Sequence, residues 1–238
     1  MTKWIGSLLF LLGVLGGMAM AAALTWSEVE ASVASTPADS KPISLSCPWI
    51  LSANETGTIR ATIVNELDEE VKPVVIAGFG QAYTSSQKFT REIYVLAPKE
   101  TQSLEWQVDA SSAAYGRVIP VVVTQSRYSL NPPRWGICGI LLYSLFGLNG
   151  ITTLILILSA SILCIVAGYL MFRPSLMAQG DQHKIRSQMV NVLILLTFAS
   201  LTTSLLRWWG LTILFEVISA ISIVTILTEL IIPRGRPG

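Results

Sequence analysis

The sequence predicts a membrane protein made of two unlike parts: an all-β antiparallel sandwich displayed on the outer side, and about three transmembrane helices behind it. Three observations predict this. Of the 238 residues, 52% are hydrophobic and only 13% are charged, against about 25% charged in an ordinary soluble domain. The mean hydropathy is +0.59. The charges are also unevenly placed. Residues 25–134 hold 12 acids and 9 bases, a net of −3, whereas the rest of the chain holds 3 acids and 7 bases, a net of +4. A polar, slightly acidic block is therefore framed by apolar segments. This composition excludes a simple cytosolic enzyme, and the overall net charge of +1 gives no basic surface for nucleic acid.

The N-terminal segment, residues 1–24, starts with Lys3 and runs apolar from Trp4 to Leu24. Two readings stand side by side. A signal peptide needs a basic start, a short apolar stretch and a small-residue cleavage site. Ile5–Leu15, the Gly16-Gly17 break, and Ala19-Met20-Ala21 or Ala21-Ala22-Ala23 supply these. A retained N-terminal transmembrane anchor needs about 20 apolar residues, and Gly13, Gly17 and Ala21 would then form a small-residue packing stripe. Either reading carries the polar block across the membrane. Residues 25–42 are rich in Ser, Ala, Thr and Pro without an apolar period, and are expected to be a flexible tether.

Residues 43–130 read as the sandwich. Thr58–Val64 places Ile59, Ala61 and Ile63 on one face and Thr58, Arg60 and Thr62 on the other. Thr101–Val108 does the same, with Leu104, Trp106 and Val108 opposing Ser103, Glu105 and Gln107. A period of two is the mark of a half-buried strand. Ile43–Cys47, Lys72–Ala77, Phe89–Leu96 and Arg117–Thr124 are also β-rich, and Asn54–Gly57, Asn65–Glu70 and Ala97–Glu100 suit turns between them. Short strands at this spacing predict an antiparallel sandwich.

The stretch from Ser52 to Trp106 resembles the Ig-like sandwich modules of bacterial envelope proteins. The carriers are Glu55-x-Gly57-x-Ile59, Asn65 at the end of the next strand, and Leu96-x-Pro98-x-Glu100 ahead of an alternating strand. The resemblance covers about a quarter of the chain. It implies a fold and a habit of binding partners, not a substrate.

The block holds no constellation for catalysis. The chain's single histidine is His183, outside this block, so neither a Ser-His-Asp triad nor an imidazole copper site is available there. Glu66, Asp68, Glu69 and Glu70 read as a solvated turn, with weak calcium binding as the alternative. Asn54-Glu55-Thr56 fits a glycosylation acceptor only in a eukaryotic secretory setting. Gly78 to Lys88 is rich in Gly, Ser and Gln and carries Phe79 and Tyr83. It is expected to be a loop that contacts a partner through Phe79, Tyr83 and Lys88; the alternative places Phe79 and Phe89 in the core at strand ends.

Residues 131–150 contain an apolar run from Trp135 to Leu148. As a helix it would reach about 21 Å, short of the ~30 Å hydrocarbon layer, so an interfacial or re-entrant helix is expected. Spans come next at 151–172, 189–206 and 211–232. The loop 173–188 carries Arg173, Lys184 and Arg186, and the tail 233–238 carries Arg234 and Arg236. Three spans put both basic segments in the cytoplasm, as short basic loops require. The hairpin 207–210, Arg207-Trp208-Trp209-Gly210, is then outside, with its tryptophans at the interface.

Two acids lie in the last span. Glu216 is expected about 9 Å below the outer hairpin, within reach of Arg207, and Glu229 lies near Arg234 and Arg236. Intramembrane acids mark functional sites by default, and ion pairs at helix ends are the alternative. Ala160, Cys164 and Gly168 stand at intervals of four, an expected close-packing face. Cys47 and Cys138 both fall on the outer side, where a disulfide persists, whereas Cys164 lies in a span.

These residues point to a non-enzymatic accessory or scaffold subunit of a membrane complex, with no cofactor, no metal and no small-molecule substrate in evidence. Its partners are expected to be the membrane and other membrane-protein subunits, and its sandwich to dock them outside the membrane. The first alternative is a small transporter or channel component using Glu216. The second is an envelope adhesion or sensing module using the Gly78–Lys88 loop.

Overall fold

The computed structural model describes residues 2–33, 41–80, 88–126, 133–176 and 181–231. The chain forms two compact units. One is Trp26–Leu154; the other joins Met1–Thr25 to Ile155–Gly238.

The first unit is a mixed β domain. Its strands are β1 (Lys41–Pro42), β2 (Ser44–Ser46), β3 (Ile50–Leu51), β4 (Gly57–Val64), β5 (Val74–Phe79), β6 (Lys88–Ile93), β7 (Thr101–Val108), β8 (Val118–Ser126) and β9 (Arg134–Leu142). The larger sheet runs β1-β9-β8-β5-β6, with β3 also paired to β9; the smaller runs β2-β4-β7. One core joins them. Ile59, Ala61, Ile63, Leu104 and Val108 of the smaller sheet share a cluster with Val75, Ala77, Phe79, Ile119, Val121, Val123, Cys138 and Ile140 of the larger. Each such large side chain contributes about 1.5–3 kcal/mol when fully buried.

The smaller sheet has one solvated face. Arg60 and Glu105 are register partners there and form an ion pair of 2.8 Å. Thr58 and Gln107, the next rung on that face, exchange hydrogen bonds between Oγ1 and the side-chain amide. The larger sheet differs. Val118 to Val123 are all buried, so both faces of β8 are covered. On its outer side a Cβ at Gly139 would fall on the carbonyl of Ser27. Ser27, Glu28 and Ala31, from the end of helix α1 (Thr2–Val33), are buried there.

The first strands are divided between the sheets. β2 pairs antiparallel with β4, whereas β1 and β3 pair in parallel with β9. A disulfide ties Cys47, between β2 and β3, to Cys138 on β9, with the two Cα atoms 6.5 Å apart. Parallel pairing places Lys41 beside Arg134, and Glu66 sits between the two cations, 3.4 Å from Lys41 and 2.6 Å from Arg134. At the end of the smaller sheet, buried Asn65 holds two turns together. Its Nδ2 donates to the carbonyls of Glu69 and Ala97, each at 2.8 Å, and its Oδ1 accepts from the Leu67 amide at 3.1 Å.

Four expectations are corrected here. Trp135–Leu148 is not a helix: most of it is β9, followed by a turn. A short apolar run has no period of its own when both faces are buried. Residues 25–42 are not all tether, because α1 continues to Val33 and buries its last turns, and β1 takes Lys41–Pro42; 34–40 lie outside the described residues. The sandwich is therefore not confined to 43–130, and it is mixed rather than antiparallel, because β9 accepts parallel partners.

The second unit is helical. It takes α1 as far as Thr25, α2 (Gly150–Leu176) from Ile155 onward, α3 (Asp181–Leu205) and α4 (Trp209–Ile231); the three expected spans fall on α2, α3 and α4. Three described segments are long and apolar enough to cross a membrane: Trp4–Val33, Gly150–Met171 and Ser187–Leu205. They mark the chain as a membrane protein. The described apolar part of α4, Trp209–Thr225, is shorter.

Glycines let α1 approach its neighbours. A Cβ at Gly13 would lie 2.7 Å from the Ile165 amide nitrogen, and one at Gly17 would lie 3.0 Å from Ser161 Oγ and 3.1 Å from Thr197 Cγ2. Ser161 Oγ donates to the Gly13 carbonyl at 2.7 Å. Val14, Ile165 and Leu193 form the small apolar core between these helices. The α2 face in use is Ser161, Ile165 and Gly168, all buried, whereas Ala160 is exposed and Cys164 half-buried. The expected stripe is thus rotated by about one residue. Cys164 is a free cysteine.

Candidate functional site

The helical unit collects polar side chains around Glu216. Ser200 on α3 donates to Glu216 Oε1 at 3.4 Å. Toward the α3–α4 hairpin, Thr212 Oγ1 donates to Thr203 Oγ1 at 3.0 Å. Ser204 Oγ donates to the Ala21 carbonyl of α1 at 3.2 Å, and Thr25 Oγ1 meets Ser204 Oγ at 3.5 Å. Thr25, Ser200, Thr203, Ser204 and Thr212 are all buried. Hydroxyls facing one another between apolar helices tie them together. Ser200 is a partner that the sequence reading did not name. Its signal was the run Ala199-Ser-Leu-Thr-Thr-Ser204, where hydroxyls recur on one helix.

Arg207 has a second role that its charge does not announce. Its φ is +60°, the left-handed position that ends α3. Its amide donates to the Ser204 carbonyl at 3.0 Å, and the Trp208 amide to that of Thr203 at 2.9 Å. These are the paired bonds of a Schellman cap. Glu229 lies on α4, and its side chain falls outside the described residues, as do Arg234 and Arg236. Along α4, Ser219, Ser222 and Thr225 donate to the carbonyls of Phe215, Ile218 and Ile221, bonds made back to their own helix.

The expected partner loop divides. Phe79 is a core residue: it is buried on β5, and its ring lies 6.1 Å from that of Trp106. It belongs to the inner row of β5 with Val75 and Ala77, so it is not a partner contact. Tyr83 lies outside the described residues, as does the side chain of Lys88. What the structure presents instead is the neighbouring strand. β6 is an edge of the larger sheet. Its outer face carries Phe89 and Ile93, 62% and 65% exposed, and Val95 just beyond is 56% exposed. Phe89 is therefore not the core residue that the sequence alternative made it, because an outward apolar residue looks like an inward one in a single strand. Beside it, burial and then the adjacent Glu92 carboxylate push the Tyr94 hydroxyl up to about 12, and Tyr94 donates its hydrogen bond to Glu92.

The acidic turn is neutralised by cations. Arg134, then Lys41, hold the Glu66 carboxyl below the usual carboxylate range. Asp68 pairs with Lys99 and Glu70 with Lys72. Among the described residues, no group of three or more His, Cys, Asp or Glu side chains is placed to hold a metal ion.

No known family's sequence profile matches this chain, and no curated relative matches it. Among solved structures, the CARDB domain of a Pyrococcus furiosus protein, solved in complex with di-metal ions, is similar at 11% identity over 46% of this chain and 96% of its own, with a TM-score of 0.35. A Listeria innocua β-glucosidase solved in complex with glucose is similar at 16% identity over 43% of this chain, with a TM-score of 0.32. The same enzyme in complex with gluconolactone gives a TM-score of 0.29 at 15% identity. The matched part spans 16% of the β-glucosidase. Likenesses of this order leave function to be argued from the residues themselves.

Proposed function

We propose that the protein is a non-enzymatic accessory or scaffold subunit of a membrane protein complex, whose Ig-like β unit stands on the outer side and docks a partner subunit through β6. The observation that carries this is the outer face of that strand. Phe89 and Ile93, and Val95 just beyond the strand, are each more than half exposed at what is an edge of the sheet among the described residues. Arg91 stands exposed between Phe89 and Ile93 on the same face, and exposed apolar residues around a single cation suit an interaction site. The Ig-like reading draws on the strand order, with β2-β4-β7 facing β9-β8-β5-β6 and the first strands shared between them. The outward orientation draws on the basic residues of 173–188 and 233–238. Residues 1–24 serve as a retained anchor in this reading, supported by the burial of Val14 and Ala21.

The test is purification of the tagged protein in mild detergent, with mass spectrometry of the intact assembly and of its N-terminus. Reproducible co-purifying subunits are expected, and a Phe89→Lys/Ile93→Lys variant should lose them while remaining folded. Purification of the native protein as a monomer would reject the reading. An N-terminus beginning near residue 24 would reject the anchor alone.

A second reading, a transporter or channel component, draws on the Ser200–Glu216 contact and the hydroxyls beyond it. It requires Glu216→Gln to abolish flux without unfolding the protein; unchanged flux rejects it.

A further inference from the structure

One end of the β unit gathers four exposed aromatic side chains from three separate places in the chain. The gathering point is the last rung of β9. The Leu141 amide donates to the Trp49 carbonyl at 2.9 Å, the Leu142 amide to the Arg117 carbonyl at 2.7 Å, and the Tyr143 amide to the Leu51 carbonyl at 3.0 Å. Val118 is the register partner of Leu141, which brings the turn Ala114–Val118 to the same end. Trp49, Tyr115, Tyr143 and Phe146 are all exposed here, Tyr115 at 72% and Phe146 at 92%. Arg117 is exposed beside them.

Two of the four share an unusual backbone. Tyr115 has φ +54° and precedes Gly116 at φ +65°; Phe146 has φ +53° and precedes Gly147 at φ +75°. Bulky side chains seldom occupy the left-handed region, where Gly or Asn is the ordinary choice. Neither ring is buried, so neither is held in that conformation by the core. Strain retained at exposed positions points to a role outside the fold itself.

What lies against this end is set by the chain. Phe146 is four residues before Gly150, the first residue of α2, and Gly150–Met171 is apolar and long enough to cross a membrane. Four residues reach at most about 14 Å. The first turn of α2 is also fastened to this same end. Glu55 Oε2 accepts from the Gly150 amide at 2.8 Å and from the Ser52 amide at 3.1 Å, and Asn149 Oδ1 caps the Thr152 amide at 2.9 Å. A Cβ at Gly150 would fall on the Ile50 carbonyl. The end of the β unit that bears the aromatics is therefore the end from which the membrane helix departs.

We infer that Trp49, Tyr115, Tyr143 and Phe146, with Arg117, form a rim that seats the β unit in the lipid headgroup layer. Trp49, Tyr115 and Tyr143 have an apolar body and a polar edge that suit that layer, the Phe146 ring supplies apolar surface that can enter it, and Arg117 matches lipid phosphate. The occupant is the lipid surface itself. The rim is independent of the proposed partner surface on β6, which lies at the opposite side edge of the larger sheet from β9's partners.

The test uses the full-length protein in phosphatidylcholine vesicles. Tyr115→Cys and Phe146→Cys, each in a Cys164→Ala background, are spin-labelled, with Gln107→Cys on the smaller sheet as the aqueous reference. Labels at 115 and 146 should be relaxed by oxygen and shielded from a water-soluble nickel chelate, with a ratio at least several-fold above that at 107. Nickel accessibility equal to that of Gln107→Cys would overturn the inference. Shielding from both reagents would also overturn it, in favour of protein covering the rim. All three positions are exposed, so the native fold is expected to persist; an unfolding midpoint within a few degrees of the parent protein checks this.

Discussion

The two sheets of the β unit meet water differently. The smaller sheet has one face on the core and one in solvent, and its solvent face is polar, with Arg60 paired to Glu105 and Thr58 to Gln107. The larger sheet is covered on both faces from Val118 to Val123 of β8, and its outer side meets Ser27 and Glu28 at Gly139. Among the described residues that outer side is most exposed at β6, where it shows Phe89, Ile93 and Val95 around Arg91. A sheet whose polar face is already paired has little left to offer a partner. A sheet whose apolar cover stops one strand short of its edge has an unfinished surface, and that is where docking is proposed.

This contrast can be broken most sharply at Gly139. Gly139→Val would place side-chain atoms where Ser27 now lies. Destabilisation by about 4 kcal/mol or more is expected for so crowded a site, read as a lower midpoint in thermal unfolding. An unchanged midpoint would mean that the outer face of β9 is open after all. Next in size is the disulfide. Cys47 and Cys138 are 91 residues apart, and losing a cross-link over such a loop costs about 2–4 kcal/mol. Reduction, or the paired serine variant, should lower the midpoint accordingly; insensitivity to reductant would show the bond to be unimportant for the larger sheet.

Smaller effects belong to the smaller sheet. Asn65→Ala removes the side-chain amide that bonds both turns from a buried position, a loss of about 2 kcal/mol, measurable by chemical denaturation. Arg60→Ala should cost less than about 1 kcal/mol, since the pair is solvated; a larger cost would show that this face is not simply wet. The smallest effect concerns pH. Arg134 and Lys41 keep the Glu66 carboxyl below its ordinary range, so the folded-state value lies below the unfolded one. The stabilisation is complete above the ordinary carboxylate range and is lost as pH falls through the depressed folded value. Arg134→Gln should flatten that acid dependence, and a variant that retains it would assign the effect to another group.

The same contrast explains what was legible in the sequence. β4 and β7 were readable because a one-sided sheet writes its burial as alternation, and the apolar helices at 150–171 and 187–205 because length and hydropathy suffice. The turns at Asn65–Glu70 and Ala97–Glu100 carried their own chemistry. β9 was not readable as a strand: Gly136, Cys138, Gly139 and Ile140 are buried on both faces, which leaves no alternation to detect. The last turns of α1 were hidden for a related reason, since Ser27 and Glu28 look solvated until a sheet covers them. Within the helices, spacing located a small-residue stripe on α2, but not the rotation that chose Ser161 over Ala160. The partner of Glu216 required knowing which turn of α3 lies opposite it, and no single helix encodes that.

The parallel pairing of β1 and β3 with β9 has a consequence for biogenesis. A chain made from its N-terminus delivers both early strands long before their partner. The 91 residues between Cys47 and Cys138 correspond to about 5–20 s of synthesis at ordinary rates of elongation. Until β9 arrives, β1 and β3 have no ladder to join and Cys47 has no thiol to meet. The strand that completes the domain is also the last one made before α2. Closure of the sandwich and insertion of that helix therefore become neighbouring events, and a pause in translation between them would leave the most apolar half of the β unit waiting open.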